Sequence, residues 1–295
     1  MMQSVERRDD VTKRIQKGTT TVQGIDLYYE RAGEGEAVIF ISGLGGNADL
    51  WKRQTSELST SYEVITFDNR GSARSAVPEG PYTIQLMAAD TVQLMDALDI
   101  AAAHVVGCSM GAMIAQEVAI QYPDKALSLT LMGAQSGGPH AFVPPPEEAQ
   151  ALEVLATHEF EPEERARAWL AHTFSEGFLK RESELVAQYV KLSAQRPTTI
   201  EGLKAQWSAL MSYDSWERLP LIIAPTLMLH GTLDKLVPVE NADALSIRIP
   251  NSRVVLIQDA GHSIAYEAAE EVNELLRQFF TENRYPNETK VEHAE

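Results

Sequence analysis

The chain is 295 residues long, 44% hydrophobic and 23% charged, with a formal net charge of −17. Those proportions are those of an ordinary globular protein with a sizeable core, and the negative charge repels nucleic-acid backbones and anionic lipid surfaces. A single cysteine, Cys108, rules out an intrachain disulfide and points to a reducing, cytoplasmic compartment.

Met1 to Lys17 is polar and lacks the apolar stretch of a signal peptide. No apolar run reaches the roughly 18 residues of a membrane-spanning helix. Residues 1–18 and 284–295 are expected to be flexible ends, and the triplet Asn287-Glu288-Thr289 reads as chance without a secretory context. Thr19 to Val22 and Ile25 to Glu30 read as two strands joined at Gln23-Gly24, an antiparallel hairpin. Ala37 to Ile41 is a buried strand running into Ser42-Gly43-Leu44-Gly45-Gly46-Asn47, and Tyr62 to Phe67 is the next. Tyr82 to Leu98 carries apolar residues at helical spacing, among them Ile84, Met87, Ala88, Val92, Met95 and Leu98. Ala103 to Cys108 is a strand, Met110 to Tyr122 a helix stopped by Pro123, and Leu127 to Met132 another strand.

This alternation of strand and helix predicts an α/β protein with a mostly parallel central sheet flanked by helices. From about Gly137 to Trp216 strand-like runs disappear, leaving only helical patterns. The expected division is therefore a first core part over residues 19–136, a helical cap inserted over 137–216, and a second core part over 217–283. Strands resume at Thr226 to Leu229 and Val254 to Ile257, and a helix closes the chain from about Ala268 to Phe280.

The strongest local signal is Gly107-Cys108-Ser109-Met110-Gly111, a G-x-S-x-G between a strand and a helix. A serine on such a sharp turn needs strained backbone angles, and large side chains two residues to either side would collide. The turn lifts the hydroxyl above the sheet edge, at the positive end of the following helix. Cys108, beside it, is expected to point away from Ser109 into the sheet packing, as a small hydrophobe.

With these motifs the chain, from about Thr19 to Phe280, resembles the α/β-hydrolase superfamily, in particular its capped serine hydrolases. The resemblance implies a catalytic acid at Asp234, in Gly231-Thr232-Leu233-Asp234-Lys235-Leu236-Val237-Pro238, and a base at His262, in Asp259-Ala260-Gly261-His262-Ser263. A neutral imidazole can take the proton of the Ser109 hydroxyl near pH 7, and the carboxylate fixes the imidazole tautomer. Of the other histidines, His104 reads as structural. His140, His158 and His172 fall in the insertion, His293 in the tail, and His230 is expected to pack near Asp234 without reacting.

The resemblance also implies an oxyanion hole built from the backbone N–H groups of Leu44 and Met110. Ser42 stands where the family usually has histidine, and the hole is expected to survive the exchange. Asp68-Asn69-Arg70-Gly71-Ser72-Ala73-Arg74-Ser75 resembles the family's D-x-R-G-x-G-x-S loop with Ala73 in place of glycine, and reads as a structural brace of turns and ion pairs.

The aromatic and methionine residues of the insertion suggest an apolar roof over Ser109, while many of them simply attach the insertion to the core. Basic residues Arg165, Arg167, Lys180, Arg181, Lys191 and Lys204 of the insertion are interleaved with acids, a pattern that neither establishes nor excludes a carboxylate pocket. The expected activity is hydrolysis of a small carboxylic ester or lactone through an acyl-enzyme on Ser109. Carbon–carbon bond hydrolysis, cofactor-free perhydrolysis, or a ligand receptor on the same fold stand as alternatives. The expected partner is a small-molecule substrate, with no nucleic acid, membrane, metal or cofactor, and the oligomeric state is left open.

Overall fold

The computed structural model describes residues 15–284. Residues 1–14 and 285–295, with His293 and the Asn287-Glu288-Thr289 triplet, lie outside the described residues.

Eight strands form one sheet in the order β1-β2-β4-β3-β5-β6-β7-β8. They are β1 (Gln16–Val22), β2 (Ile25–Ala32), β3 (Ala37–Ile41), β4 (Glu63–Phe67), β5 (Ala103–Cys108), β6 (Ala126–Met132), β7 (Thr226–Gly231) and β8 (Ser252–Ile257). The pairs β1–β2 and β2–β4 are antiparallel and the remaining pairs parallel. The first two strands make the expected hairpin. Gln23 and Gly24 both carry positive φ, 49° and 76°, the geometry that lets a two-residue loop match strand twist. β1 starts at Gln16 rather than Thr19. Its first residues are polar and pair through the backbone with Arg31 and Glu30, leaving no apolar signature.

Alternation along the central strands divides the core between two faces. Ile39, Ile41, Val105, Leu129 and Leu131 face one cluster, shared with the helices α2 (Ile84–Ala97) and α3 (Met110–Gln121). Val38, Phe40, Val106, Leu227 and Leu229 face the other. There they meet Leu58 of the short helix α1 (Lys52–Leu58) and Val272, Leu276 and Phe280 of the closing helix (Ala269–Glu282).

Chain order reverses beside β3: β4 pairs on one side of it and β5 on the other. Ligand crevices of open α/β sheets form at such a switch point, outside the carboxyl ends of the strands. Here those ends carry the glycine-rich loop after Ile41 and the turn containing Ser109.

Between β6 and β7 the chain is helical: α4 (Pro146–Thr157), α5 (Pro162–Thr173), α6 (Glu176–Arg181), α7 (Ser183–Gln195) and α8 (Ile200–Met211). A single backbone bridge, Gly137 to Asp214, and the Ser215 N–H bonded to the Ser136 carbonyl at 2.9 Å close the base of this insertion. Phe174, Phe178 and Val190 of the insertion pack with Tyr266, from the chain beyond β8, into a small third cluster that joins the insertion to the main domain. After β7 come α9 (Glu240–Arg248), α10 (Ile264–Glu267) and α11 (Ala269–Glu282). Among the described residues no helix is long and apolar enough to cross a membrane.

Candidate active site

Ser109 is the residue on which β5 turns into α3. Its φ of 57° and ψ of −121° lie outside the ordinary regions for a residue with a side chain, and strain of this kind accompanies functional turns. The flanking glycines permit it: a Cβ on Gly107 would stand 2.2 Å from the Gly111 carbonyl oxygen, and one on Gly111 only 2.1 Å from that of Ile41. The Ser109 N–H is held by the Met132 carbonyl at 2.9 Å.

Asp234 and His262 come from the loops after β7 and β8 and meet at 2.7 Å, Oδ2 to Nδ1. Asp234 is fully buried as a side chain, and its Oδ1 accepts the N–H groups of Leu236 and Val237, both at 2.9 Å. Burial by itself raises the pKa of this carboxyl. The charge of His262 and hydrogen bonds from His230 and His262 outweigh it and hold the group well below the usual carboxylate range.

His230 does more than pack beside the acid. Its Nε2 lies 2.8 Å from the Val237 carbonyl and 3.3 Å from Asp234 Oδ2. A carbonyl can only accept, so this nitrogen carries the proton and the carboxylate has a second donor. Burial lowers the His230 pKa, but its bonding to Asp234 and Val237 prevails and the net shift is upward.

Leu44 lies in the loop after β3, which runs so close to the serine that a Cβ on Gly43 would be 3.1 Å from Ser109 Cβ. Neither the Leu44 nor the Met110 N–H has a hydrogen-bond partner among the described residues. Ser42 ties this loop to its surroundings. Its hydroxyl accepts from Trp51 Nε1 at 2.8 Å, and its carbonyl accepts from Asn69 Nδ2 at 3.0 Å. Below the loop, Asp68 receives Arg74 Nε at 2.7 Å and the Ala48 N–H at 2.8 Å. Arg74 stacks on Tyr28 with 3.8 Å to the ring centre, and buried Arg70 pairs with Asp90. This motif braces the loop as expected, and Arg74 is not on the cavity wall.

Ser109, His262 and Leu44 line one cavity of about 990 Å³, with Asp234 behind the histidine. Among the described residues the Ser109 hydroxyl has no hydrogen bond to His262. Trp169, Trp207 and Met211 of the insertion form part of the wall, whereas Phe174 and Phe178 do not. Of the seven lysines and arginines of the insertion only Arg165 reaches the cavity, with its guanidinium donating to the carbonyls of Leu155 and His158 at the end of α4. Cys108 packs against the sheet core but also touches the cavity. Burial, reinforced by the nearby Asp234 charge, pushes its thiol up to about 12, so it is no nucleophile near neutrality. Among the described residues no three His, Cys, Asp or Glu side chains are grouped to hold a metal ion.

Sequence reasoning missed Glu267. Its carboxylate accepts the N–H of Gly261, next to His262, at 3.0 Å and that of Ser175 in the insertion at 3.2 Å, so it holds the base loop against the α5–α6 turn. It missed Gln206 as well. Neither carries a local motif: the partners of Gln206 and the Ser175 contact of Glu267 are distant in sequence, and a glutamate six residues after Gly261 has no distinguishing pattern.

Residues 36–269 match the family model described as alpha/beta hydrolase fold. A Mycobacterium tuberculosis protein with the provisional name non-heme bromoperoxidase is 33% identical over 261 residues, covering 87% of this chain and 98% of its own. Among solved structures, a thermophilic esterase from Thermogutta terrifontis superposes with a TM-score of 0.79 at 28% identity, covering 92% of this chain and all of that one. The enol-lactonase from Burkholderia xenovorans LB400 gives 0.80 at 26% identity, covering 90% and 100%.

Proposed function

We propose, since the chain belongs to the alpha/beta hydrolase family, that it is a serine hydrolase cleaving a small carboxylic ester or lactone. The observation that carries this reading is the buried Asp234 bonded at 2.7 Å to His262, on a cavity shared with the strained Ser109 turn. Ser109 Oγ attacks the carbonyl carbon while His262 Nε2 takes its proton. The oxyanion is received by the N–H groups of Leu44 and Met110 at the head of α3, an arrangement in which each donor supplies about 3–4 kcal/mol. The intermediate collapses, and His262 returns the proton to the departing alkoxide. Water activated by His262 then releases the acid from the acyl-enzyme. In a lactone the freed hydroxyl stays tethered to the acyl group.

The largely apolar wall, with Trp169, Trp207 and Met211, suits an acyl or alkoxy group of modest size. The likeness to an esterase and an enol-lactonase supports this class of bond. Resemblance to the bromoperoxidase-named protein favours one alternative, in which hydrogen peroxide replaces water in the second step and the product is a peracid.

The test is hydrolysis of short and medium p-nitrophenyl esters, without added metal or cofactor, by wild type and Ser109→Ala. A loss of ~10³-fold or more in the variant is expected. Equal rates in both proteins would overturn the mechanism.

A further inference from the structure

Gln206, on α8 of the insertion, is completely buried at 0% exposure and bonded entirely to the core. Its Oε1 accepts the Gly45 N–H at 2.9 Å. Its Nε2 donates to the Arg70 carbonyl at 2.7 Å and the Ser72 hydroxyl at 2.8 Å. The partners dictate the orientation of the amide, because a flipped group would face donor to donor at Gly45 and acceptor to acceptor at Arg70.

The place where Gln206 touches the loop matters. Residues 43–46 form a turn closed by Gly46 N–H to the Gly43 carbonyl at 3.1 Å, with Gly45 at φ +66° in its third position. Turns of this type differ from their common alternative by a flip of the central peptide. That central peptide is Leu44–Gly45, and its N–H is the one Gln206 holds. The other side of Gly45 is held from the insertion too, since Thr198 Oγ1 donates to the Gly45 carbonyl at 3.0 Å. Asn47 Nδ2 donates to the Arg196 carbonyl at 3.2 Å. Gly202 packs so closely that a Cβ there would lie 2.0 Å from the Gly71 carbonyl oxygen.

We infer that Gln206 is a positioning residue for the oxyanion hole: from the inserted helix it locks the central peptide of the turn that presents the Leu44 N–H. The inference rests on the serine-hydrolase reading. It makes the seating of α8 part of transition-state stabilisation, so that a substrate that disturbs α8 also disturbs the hole. A purely structural pin would behave differently. Its loss would lower the melting temperature and the fraction of active molecules, while each surviving site kept its kcat.

The experiment compares wild type, Gln206→Met and Gln206→Glu. Active sites are counted with a fluorophosphonate, then kcat and KM for p-nitrophenyl acetate and Ki for phenylboronic acid, which forms a tetrahedral adduct on serine, are measured. Per titrated site, Gln206→Met is expected to lose about 10- to 100-fold in kcat, with KM within about 2-fold and the boronate weakened in step. Gln206→Glu keeps an acceptor for Gly45 and is expected to recover kcat to within about 5-fold of wild type at lower thermal stability. If Gln206→Met does not fold, Thr198→Val carries the test, with kcat expected to fall about 3- to 10-fold at constant KM. Wild-type kcat and boronate affinity in the folded variants, or equal losses in Met and Glu, overturn the inference. Failure of the underlying reading shows earlier and separately, as wild type that neither turns over the ester nor is labelled at Ser109.

Discussion

The imidazole of His262 occupies the space where Gly133 would carry a side chain. A Cβ there would lie 2.8 Å from His262 Cε1 and 2.9 Å from Nδ1, and Gly133 itself has φ +53°. The glycine after β6 is therefore the floor on which the His262 ring rests, although it makes no hydrogen bond to it.

Gly133→Ala should displace the ring, because the added carbon approaches within a distance that real Cβ atoms do not adopt. Kinetics per titrated site should give a kcat about 10²-fold lower with KM nearly unchanged. An unaffected kcat would mean that the imidazole has room to move without loss.

Asp234→Asn separates charge from scaffold. An asparagine oxygen can still accept the N–H groups of Leu236 and Val237, so circular dichroism and melting should report a folded protein. The amide nitrogen would face His262 Nδ1 and favour the wrong tautomer, and kcat should fall by about 10³- to 10⁴-fold.

Acid should destabilise the protein in two stages. His104 is buried, with Nδ1 2.8 Å from the Ser128 hydroxyl, Nε2 unpartnered, and its ring stacked on Phe280 at 4.4 Å. Burial, and secondarily the Arg284 charge, lowers its pKa from 6.5 to about 4. The unfolded chain therefore takes up the proton first, and stability falls as pH drops from about 6.5 to 4, by at most about 3 kcal/mol. Asp234 has the depressed pKa of a paired carboxylate, so its contribution is intact above about pH 3.9 and fades as pH falls further. Melting temperature against pH should be flatter between 6.5 and 4 in His104→Leu than in wild type, with the fall below pH 4 retained. Parallel curves would remove His104 from the account.

Ala73 sits at φ +43° in the brace that supports the loop after β3, its N–H 3.3 Å from Thr198 Oγ1. A left-handed alanine costs about 1–2 kcal/mol relative to its relaxed backbone, and a glycine gives up about 0.4–1 kcal/mol through the unfolded chain. Ala73→Gly should therefore leave stability unchanged or raise it by up to about 1 kcal/mol in urea denaturation.

The sheet was legible because its strands are short apolar runs with turn residues at both ends. Ala37–Ile41 and Ala103–Cys108 have the bounds their patterns imply. The sharp turn at Ser109 was legible because such a turn leaves no room for side chains at 107 and 111, where the sequence has glycine. Asp234 and His262 could be named only through the family resemblance, since no spacing rule links residues 28 apart on different loops. α1 and α9 were missed, being too short for their periodicity to stand out. The contacts of Gln206, and that of Glu267 with Ser175, are tertiary and leave no trace in neighbouring residues. The mixed role of the insertion's aromatics was anticipated, but which of them would reach the cavity depended on how the helices pack.

The insertion opens at Gly137, past the end of β6, and closes at Asp214, ahead of β7, and these two residues are paired. Closing a longer loop costs only about 0.6 kcal/mol for each doubling of its length, so the strands on either side are almost blind to what is spliced between them. A different insertion joined at that junction would leave the strand register as it is. The constraint lies elsewhere: any replacement has to bring its own equivalent of Gln206, or it will yield a folded protein whose reaction centre is out of tune.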